Sequence, residues 1–303
     1  MSSFWSLWII ILTTACVGLV TWILFANRGT ETPGEPTGHA YDGIEEFDNP
    51  MPEWWFKMFV ATIVFAALYL IIYPGMGSYK GIFGSIVSDE AYKDGWTQIA
   101  QWQTEQEAGE AKFLEQAKPF MDQPAASLVE NQAALRMGQR LFKSNCSVCH
   151  GSDGKGNYAF PNLTDDVWLY GGTEEKIKET LYNGRNAAMP AWGATLGNDI
   201  DAMAAYVKSL NNEETRKKAA DNPMHAKFQM LCSTCHGKDA KGNQAIGAPN
   251  LTNDNWLYGG SIADIKLTLN QGRAGVMPSF GDLSDERIHL LTTYVLSLSH
   301  VPD

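Results

Sequence analysis

Two long apolar runs stand at the front of the chain, and shorter amphipathic segments fill the rest. Phe4 to Phe25 is 22 residues without a charge. As a helix it is long enough to cross a hydrocarbon core of about 30 Å. No basic residue precedes it and no small-x-small pattern follows at LFANRG, so it reads as a retained span rather than a cleaved leader. Trp54 to Tyr73 is 20 residues with one charge, Lys57, near the end, where its stem can reach the headgroups. Trp54 and Trp55 suit a membrane interface, and Pro74-Gly75 stops the run. A buried core helix is the competing reading of this second run. Beyond it, residues 76–126 are polar and charged, with helical composition over Glu105–Lys118. Further on, Ile200, Met203, Val207 and Leu210 share one helix face, and so do Ile288, Leu291, Val295 and Leu298. Ser284, followed by Asp285 and Glu286, starts the second of these helices.

The two faces belong to an internal duplication. Pro161–Trp192 aligns with Pro249–Phe280 at an offset of 88, with 18 of 32 positions identical. Upstream, SNCSVCHG aligns with MLCSTCHG at an offset of 86, so the second copy has two extra residues in its first loop. This organisation predicts an all-α chain. A membrane hairpin (residues 1–75, spans 4–25 and 54–73) is followed by a linker (76–126). Two modules come next, 127–210 and 225–303, joined by residues 211–224.

Each copy carries Cys-x-x-Cys-His: Cys146, Cys149 and His150, then Cys232, Cys235 and His236. That is the signature of c-type haem attachment. Two thiols one helical turn apart reach the two vinyl groups on one porphyrin edge, and the next residue turns its imidazole towards the iron. Low-spin electron-transfer iron takes a sixth ligand, and a thioether raises its potential relative to nitrogen. Met189 and Met277 offer one, 39 and 41 residues after their histidines and each followed by proline. Closure of each iron by the methionine of its own copy is the default expectation. An exchange, with Met189 serving the second iron and Met277 the first, stays open. A thioredoxin-type thiol pair or a zinc site built from all four cysteines would use the thiols, but would leave His150, His236 and the Met-Pro pairs unexplained.

Further residues follow from the same duplication. The carbonyls of Pro161 and Pro249 are placed to accept the other N–H of each axial histidine. Arg185 and Arg273, four residues before each methionine, are candidates to pair with haem propionates. Trp168 and Trp256 are candidates to wall the haem or donate an indole N–H, with plain hydrophobic packing the alternative. Of the other histidines, His225 is the one rival axial ligand, and its expected place is solvent-facing at the end of the linker. Cys16 is expected to be an inert hydrophobe buried in the first span.

Composition narrows the class. Apolar residues are 45% of the chain and charged residues 19%, which excludes wholesale disorder. A net charge of −11 argues against nucleic acid as a partner. A mean hydropathy of −0.21 leaves room for one or two spans and no more.

The loop Tyr41–Trp55 reads YDGIEEFDNPMPEWW. It resembles the DGIEE…DNP.P.WW signature of the dihaem subunit of cbb3-type cytochrome c oxidases, the CcoP/FixP family (subunit III). The likeness extends over the anchor, the signature loop and both modules. It implies two tandem class I cytochrome c domains with two covalently bound haem c groups. It implies an electron-transfer subunit with no active site of its own, which takes electrons from a donor cytochrome c. These pass towards a monohaem cytochrome c subunit and the catalytic haem–copper subunit. It also implies a bacterial inner-membrane location with lipid around the anchor. The haem domains and the N-terminus then lie on the periplasmic side, with Ala26–Glu53 cytoplasmic. In that loop Asp42, Glu45, Glu46 and Asp48 are expected to dock on the oxidase core, with a proton-entry path or a merely solvated loop as the alternatives. Such modules carry a glycine before the haem motif, packed on an aromatic of the last helix. Gly138, Phe142 and Tyr206 fit this in the first copy. The second copy has Phe228 and Tyr294 but Met224 at the glycine position, which predicts a shorter or shifted first helix. A dihaem cytochrome serving another oxidoreductase and a zinc- or thiol-based anchored interaction protein are the alternatives.

Overall fold

The computed structural model describes residues 2–28, 36–47, 51–87 and 90–299. Its backbone divides into two compact units, Met1–Lys112 and Phe113–Asp303.

In the first unit the two apolar runs are helices, α1 (Ser3–Ala26) and α2 (Glu53–Ile72). They lie side by side as a hairpin: Phe25 meets Phe56 edge-on with ring centroids 5.3 Å apart, and the Arg28 guanidinium covers Phe56 at 4.7 Å. Ser6 and Leu24 are the buried residues of α1, and α2 has none. Helices apolar on every side and uncovered by the rest of the chain need an apolar surrounding, which fits a membrane anchor. Cys16 faces outward beside Val17, Val20, Thr62 and Ile63 rather than being buried, because two packed helices leave most of each surface uncovered.

Between them β1 (Pro36–Tyr41) and β2 (Ile44–Phe47) pair as a hairpin. Asp42 and Gly43, at φ +49° and +85°, make its two-residue turn. Asp-Gly suits that turn because both residues tolerate the left-handed region. Glu45 and Glu46 stand exposed on β2; Asp48 lies outside the described residues. Past α2, Tyr73 stacks on Phe83 at 5.1 Å and meets Trp96 at 5.4 Å. This aromatic knot pins the short α3 (Phe83–Val87) ahead of α4 (Gln98–Met121).

In the second unit the chain runs α5 (Gln132–Asn145), α6 (Ser147–His150), α7 (Glu174–Asn183), β3 (Arg185–Met189), α8 (Gly193–Leu196) and α9 (Ile200–Ser209). After α10 (Glu213–Lys217), the second copy repeats this as α11 (Met224–Leu231), α12 (Ser233–His236), α13 (Ile262–Gln271), β4 (Arg273–Met277) and α14 (Asp285–Leu298). The first helix of the second copy has 8 residues against 14 in the first. Its first residue, Met224, packs on the core edge where the first copy has glycine.

The packed cores do not follow the sequence copies. One core joins Phe142, Cys146, Ile177 and Leu181 of the first copy to Ile288, Leu291, Tyr294 and Val295 of α14. The other joins Phe228, Cys232, Ile265 and Leu269 of the second copy to Met203, Tyr206 and Val207 of α9. The last helices have changed places. Accordingly Phe142 meets Tyr294 at 5.3 Å and Phe228 meets Tyr206 at 5.6 Å, whereas repeat logic pairs Phe142 with Tyr206. A Cβ on Gly138 would lie 2.4 Å from Leu290 O and 2.7 Å from Tyr294 Cβ, so α5 and α14 are in close contact there.

The crossing is made at one seam, where β3 and β4 pair antiparallel with Arg185 opposite Met277, Ala187 opposite Gly275 and Met189 opposite Arg273. Flanking backbone bonds repeat with two-fold symmetry: Trp192 N–H to Leu269 O at 2.7 Å and Phe280 N–H to Leu181 O at 2.8 Å. Gly184 and Gly272 end α7 and α13 at φ +69° and +72°, and let Met277 O and Met189 O approach to where a side chain would stand.

Candidate functional site

Each motif sits on one helical turn. In α6 the His150 N–H donates to Cys146 O at 3.0 Å, and Gly151 at φ +78° ends the turn. In α12 the His236 N–H donates to Cys232 O at 2.9 Å and Gly237 ends it at φ +80°. Cys146 and Cys232 are buried, Cys149 is half-buried and Cys235 exposed. Burial first, and the neighbouring thiol second, pushes Cys146 and Cys232 each up to about 11. Neither inner thiol is therefore ionised near neutrality.

Both histidines are 8% exposed. His150 Nδ1 donates to Pro161 O at 3.0 Å and His236 Nδ1 to Pro249 O at 3.1 Å. Burial holds both imidazoles below their usual value, against the opposing effect of these bonds. They are neutral at pH 7, with Nδ1 committed and Nε2 the nitrogen left for a metal.

The methionines stand where the crossed cores put them. Met277 packs with the core of Phe142 and Cys146, and Met189 with that of Phe228 and Cys232. The arginines do not cross. Arg185 lies over the Tyr170 ring at 4.6 Å and donates from Nε to Thr180 Oγ1 at 2.8 Å; Arg273 lies over Tyr258 at 4.6 Å and donates to Thr268 Oγ1 at 2.9 Å. Trp168 packs on the first core and Trp256 on the second, beneath Lys208 at 5.2 Å from its ring. Tyr170, Tyr258, Thr180 and Thr268 escaped the sequence reading, although each is identical between copies and so was marked by the duplication itself.

His225 is half-buried and bonds the Tyr206 hydroxyl through Nδ1 at 2.8 Å, rather than facing solvent. Its ring is thereby committed to the last helix of the first copy. His300 lies outside the described residues.

Among the described residues no three His, Cys, Asp or Glu side chains gather to hold an ion, so the fold does not bring the four motif cysteines into a zinc cage. Three buried donors lack a protein partner there: Tyr170 OH, Trp256 Nε1 and Arg273 Nη2. Buried polar atoms are seldom left so, and an unpartnered guanidinium and indole N–H in the second copy suit an acidic prosthetic group. The thiol pair and the neutral histidine at each motif, with a methionine packed on the same core, fit a haem c.

Comparison with known proteins gives the same direction. Residues 33–80 match the N-terminal domain of cytochrome oxidase-cbb3, FixP. Residues 133–207 and 219–295 each match the cbb3-type cytochrome c oxidase subunit III family. A cbb3-type cytochrome c oxidase subunit CcoP of Rubrivivax gelatinosus is 40% identical over 98% of this chain and 96% of its own length. The FixP subunit of Azorhizobium caulinodans is 37% identical over 86% of this chain and 92% of its own. The CcoP subunit of Cereibacter sphaeroides is 36% identical over 88% and 96%.

Proposed function

The chain belongs to the cbb3-type cytochrome c oxidase subunit III family, and from that premise we propose that it is the dihaem electron-transfer subunit of such an oxidase, with crossed axial ligation. Cys146 and Cys149 would hold one haem through thioether bonds, with His150 and Met277 as the residues that would ligate its iron. Cys232 and Cys235 would hold the other, with His236 and Met189 as its iron ligands. When bound, each haem supplies a site that takes and gives one electron at an iron held low-spin.

The observation that carries the crossing is the β3–β4 seam, which sets each methionine against the core of the other copy. The protein's own residues hold the geometry. Pro161 and Pro249 fix the ring planes of the histidines. The two aromatic-lined cores keep water from the methionine side, which limits reorganisation. Arg185, Arg273, Trp168 and Trp256 line the side on which haem carboxylates would lie. The chain holds no chemistry of its own beyond this, and oxygen reduction belongs to the partner haem–copper subunit.

The donor is a cytochrome c, and it meets the haem unit at the motif faces, where Val148 is 90% and Met230 70% exposed. The acidic balance lies elsewhere: residues 1–112 carry 5 Lys and Arg against 13 Asp and Glu, and residues 113–303 carry 18 against 21. The unit that would meet the donor thus carries a net charge of only −3, so salt should weaken the encounter little. Covalent haem attachment puts the second unit on the periplasmic side of the inner membrane. The β1–β2 hairpin then faces the cytoplasm, where Asp42, Glu45 and Glu46 dock on the oxidase core.

A pyridine haemochrome assay on the purified full chain tests the premise: two c-type haems per chain are expected, and a colourless protein with four alkylatable motif thiols overturns it. Ligation is tested in a Cys146→Ala/Cys149→Ala chain, which keeps one haem. Its far-red methionine–iron band should vanish in Met189→His and persist in Met277→His. The reverse pattern overturns the crossing.

A further inference from the structure

His225 takes no part in the ligation proposed above, yet its ring is tied into the second core. Nδ1 bonds the Tyr206 hydroxyl at 2.8 Å, and the two rings meet edge-on with centroids 6.2 Å apart. Tyr206 is 3% exposed and packs with Phe228 and Cys232. Burial first, and the Cys232 thiol second, raise its hydroxyl above the usual value, so the phenol stays protonated. A hydroxyl can donate to a neutral imidazole or accept from a charged one, so this bond survives a change of charge on His225.

The matching positions of the first core hold Tyr294 and Gln139, and an exposed glutamine has no charge to change. His289 shares α14 with Tyr294, but it is buried against Lys178 and Glu174 of α7 and the backbone of Phe120 and Gln123. Water reaches the second core more easily. A groove beside Tyr206 is lined by Ser209, Glu214, Thr215, Lys218, Asp221 and Asn222, and the His225 N–H donates to Asn222 O at 2.9 Å. Glu214, Lys218 and Asp221 are the charged groups of that groove, all exposed. On the helix of His225 itself, Lys227 pairs with Asp199. On α9, which packs against it, Asp201 pairs with Lys266 and Lys208 covers Trp256. None of these charges changes when an electron arrives, so they set where His225 titrates and not the sign of its coupling.

We propose that His225, held on Tyr206, is a proton-binding site linked to the second haem, which takes up a proton as that haem takes an electron. This rests on the dihaem reading above. The electron comes from the donor cytochrome, and the proton comes from water in the groove and goes to an imidazole nitrogen. The reduced site is one unit more negative than the oxidised one, so it favours a cation nearby. Reciprocally, the imidazolium favours reduction by the same factor. Solvent around a half-buried ring keeps that factor small, about threefold. His225 acts through Tyr206 and the field of its charge, and is a positioning residue.

Spectroscopic redox titration of the full chain at pH 5.5 and 8.0 reads the effect, on either side of the range in which histidines change charge. Haem content is first checked at two per chain, so that failure of the dihaem premise shows separately. The Cys146→Ala/Cys149→Ala chain identifies which one-electron component belongs to the second haem. That component should favour reduction about threefold more at pH 5.5 than at 8.0, or by about 28 mV for a one-electron couple. His225→Gln, whose amide can still bond Tyr206, should remove most of this difference and leave the other component's pH profile as in the parent. His225→Lys, a cation at both pH values, should hold the component near its acid value at pH 8.0. The same pH profile in parent and His225→Gln, or a change confined to the other component, overturns the proposal.

Discussion

A single methyl group placed on Gly138 tests the exchange of last helices. In Gly138→Ala the new Cβ would stand 2.4 Å from Leu290 O and 2.7 Å from Tyr294 Cβ, where ordinary contact begins near 3.4 Å. The nearest atom is backbone, so no rotamer change relieves it, and α14 must retreat from α5 by about 1 Å. Overpacking of this kind costs about 1–3 kcal/mol. A backbone clash belongs at the upper end of that range, and the better helix propensity of alanine returns about 1 kcal/mol. The net loss is about 2 kcal/mol, or about 4–8 °C in Tm for a unit the size of Phe113–Asp303. Gly109→Ala is the control: it lies in α4 with nothing within 4 Å of its Cβ, and should stabilise slightly. Thermal melts of parent and variants, followed by circular dichroism, decide the matter. A Gly138→Ala chain as stable as the parent would refute the packing. A double-mutant cycle then assigns the partner: Phe142 should couple with Tyr294 by about 0.5–1.5 kcal/mol and with Tyr206 not at all.

Two further outcomes follow from buried or uncovered side chains. His289 is 6% exposed in α14, facing Lys178 and Glu174 of α7 and the backbone of Phe120 and Gln123. Burial first, then Lys178, holds it below its usual 6.5. Between its folded and unfolded pKa the unfolded chain binds more protons, so stability falls as pH drops below about 6.5. His289→Gln should flatten that acid limb in melts at pH 7.5 and 5.5, and an unchanged limb would sink the assignment. Cys16 faces out of the hairpin, so in proteoliposomes a lipid-soluble maleimide should label it and a charged one should not. Equal labelling by both would show the α1 surface to be bathed in water.

The elements were largely legible because their signals are local. The two spans, the helix over Glu105–Lys118 and the motif turns show in periodicity, composition and short spacing. The hairpin at Asp42-Gly43 was missed: Asp-Gly is a turn signal, but its setting of prolines and acids hid the flanking strands. The exchange of α9 and α14 was not legible. With 18 of 32 matched positions identical, α9 and α14 follow equivalent seams, and the sequence cannot say which copy each should cover. The choice is made by chain geometry at β3 and β4, a long-range contact that no window of residues contains. For the same reason Tyr206 and Tyr294 were assigned to the wrong phenylalanines. His225 looked like a linker residue because its partner, Tyr206, comes from the other copy. The pairing of Arg185 with Glu179 was not legible either, because it depends on where two side chains come to rest.

The seam between β3 and β4 also fixes an order of assembly as the chain emerges. Cys146 emerges early, yet the residues that close its core, Ile288 to Val295, are synthesised about 140 residues later. The earlier-made attachment site therefore waits for nearly the whole of the second copy, while the later-made one finds α9 already in place. Loss of either copy by deletion would leave the survivor without its lid, so this duplication offers no spare.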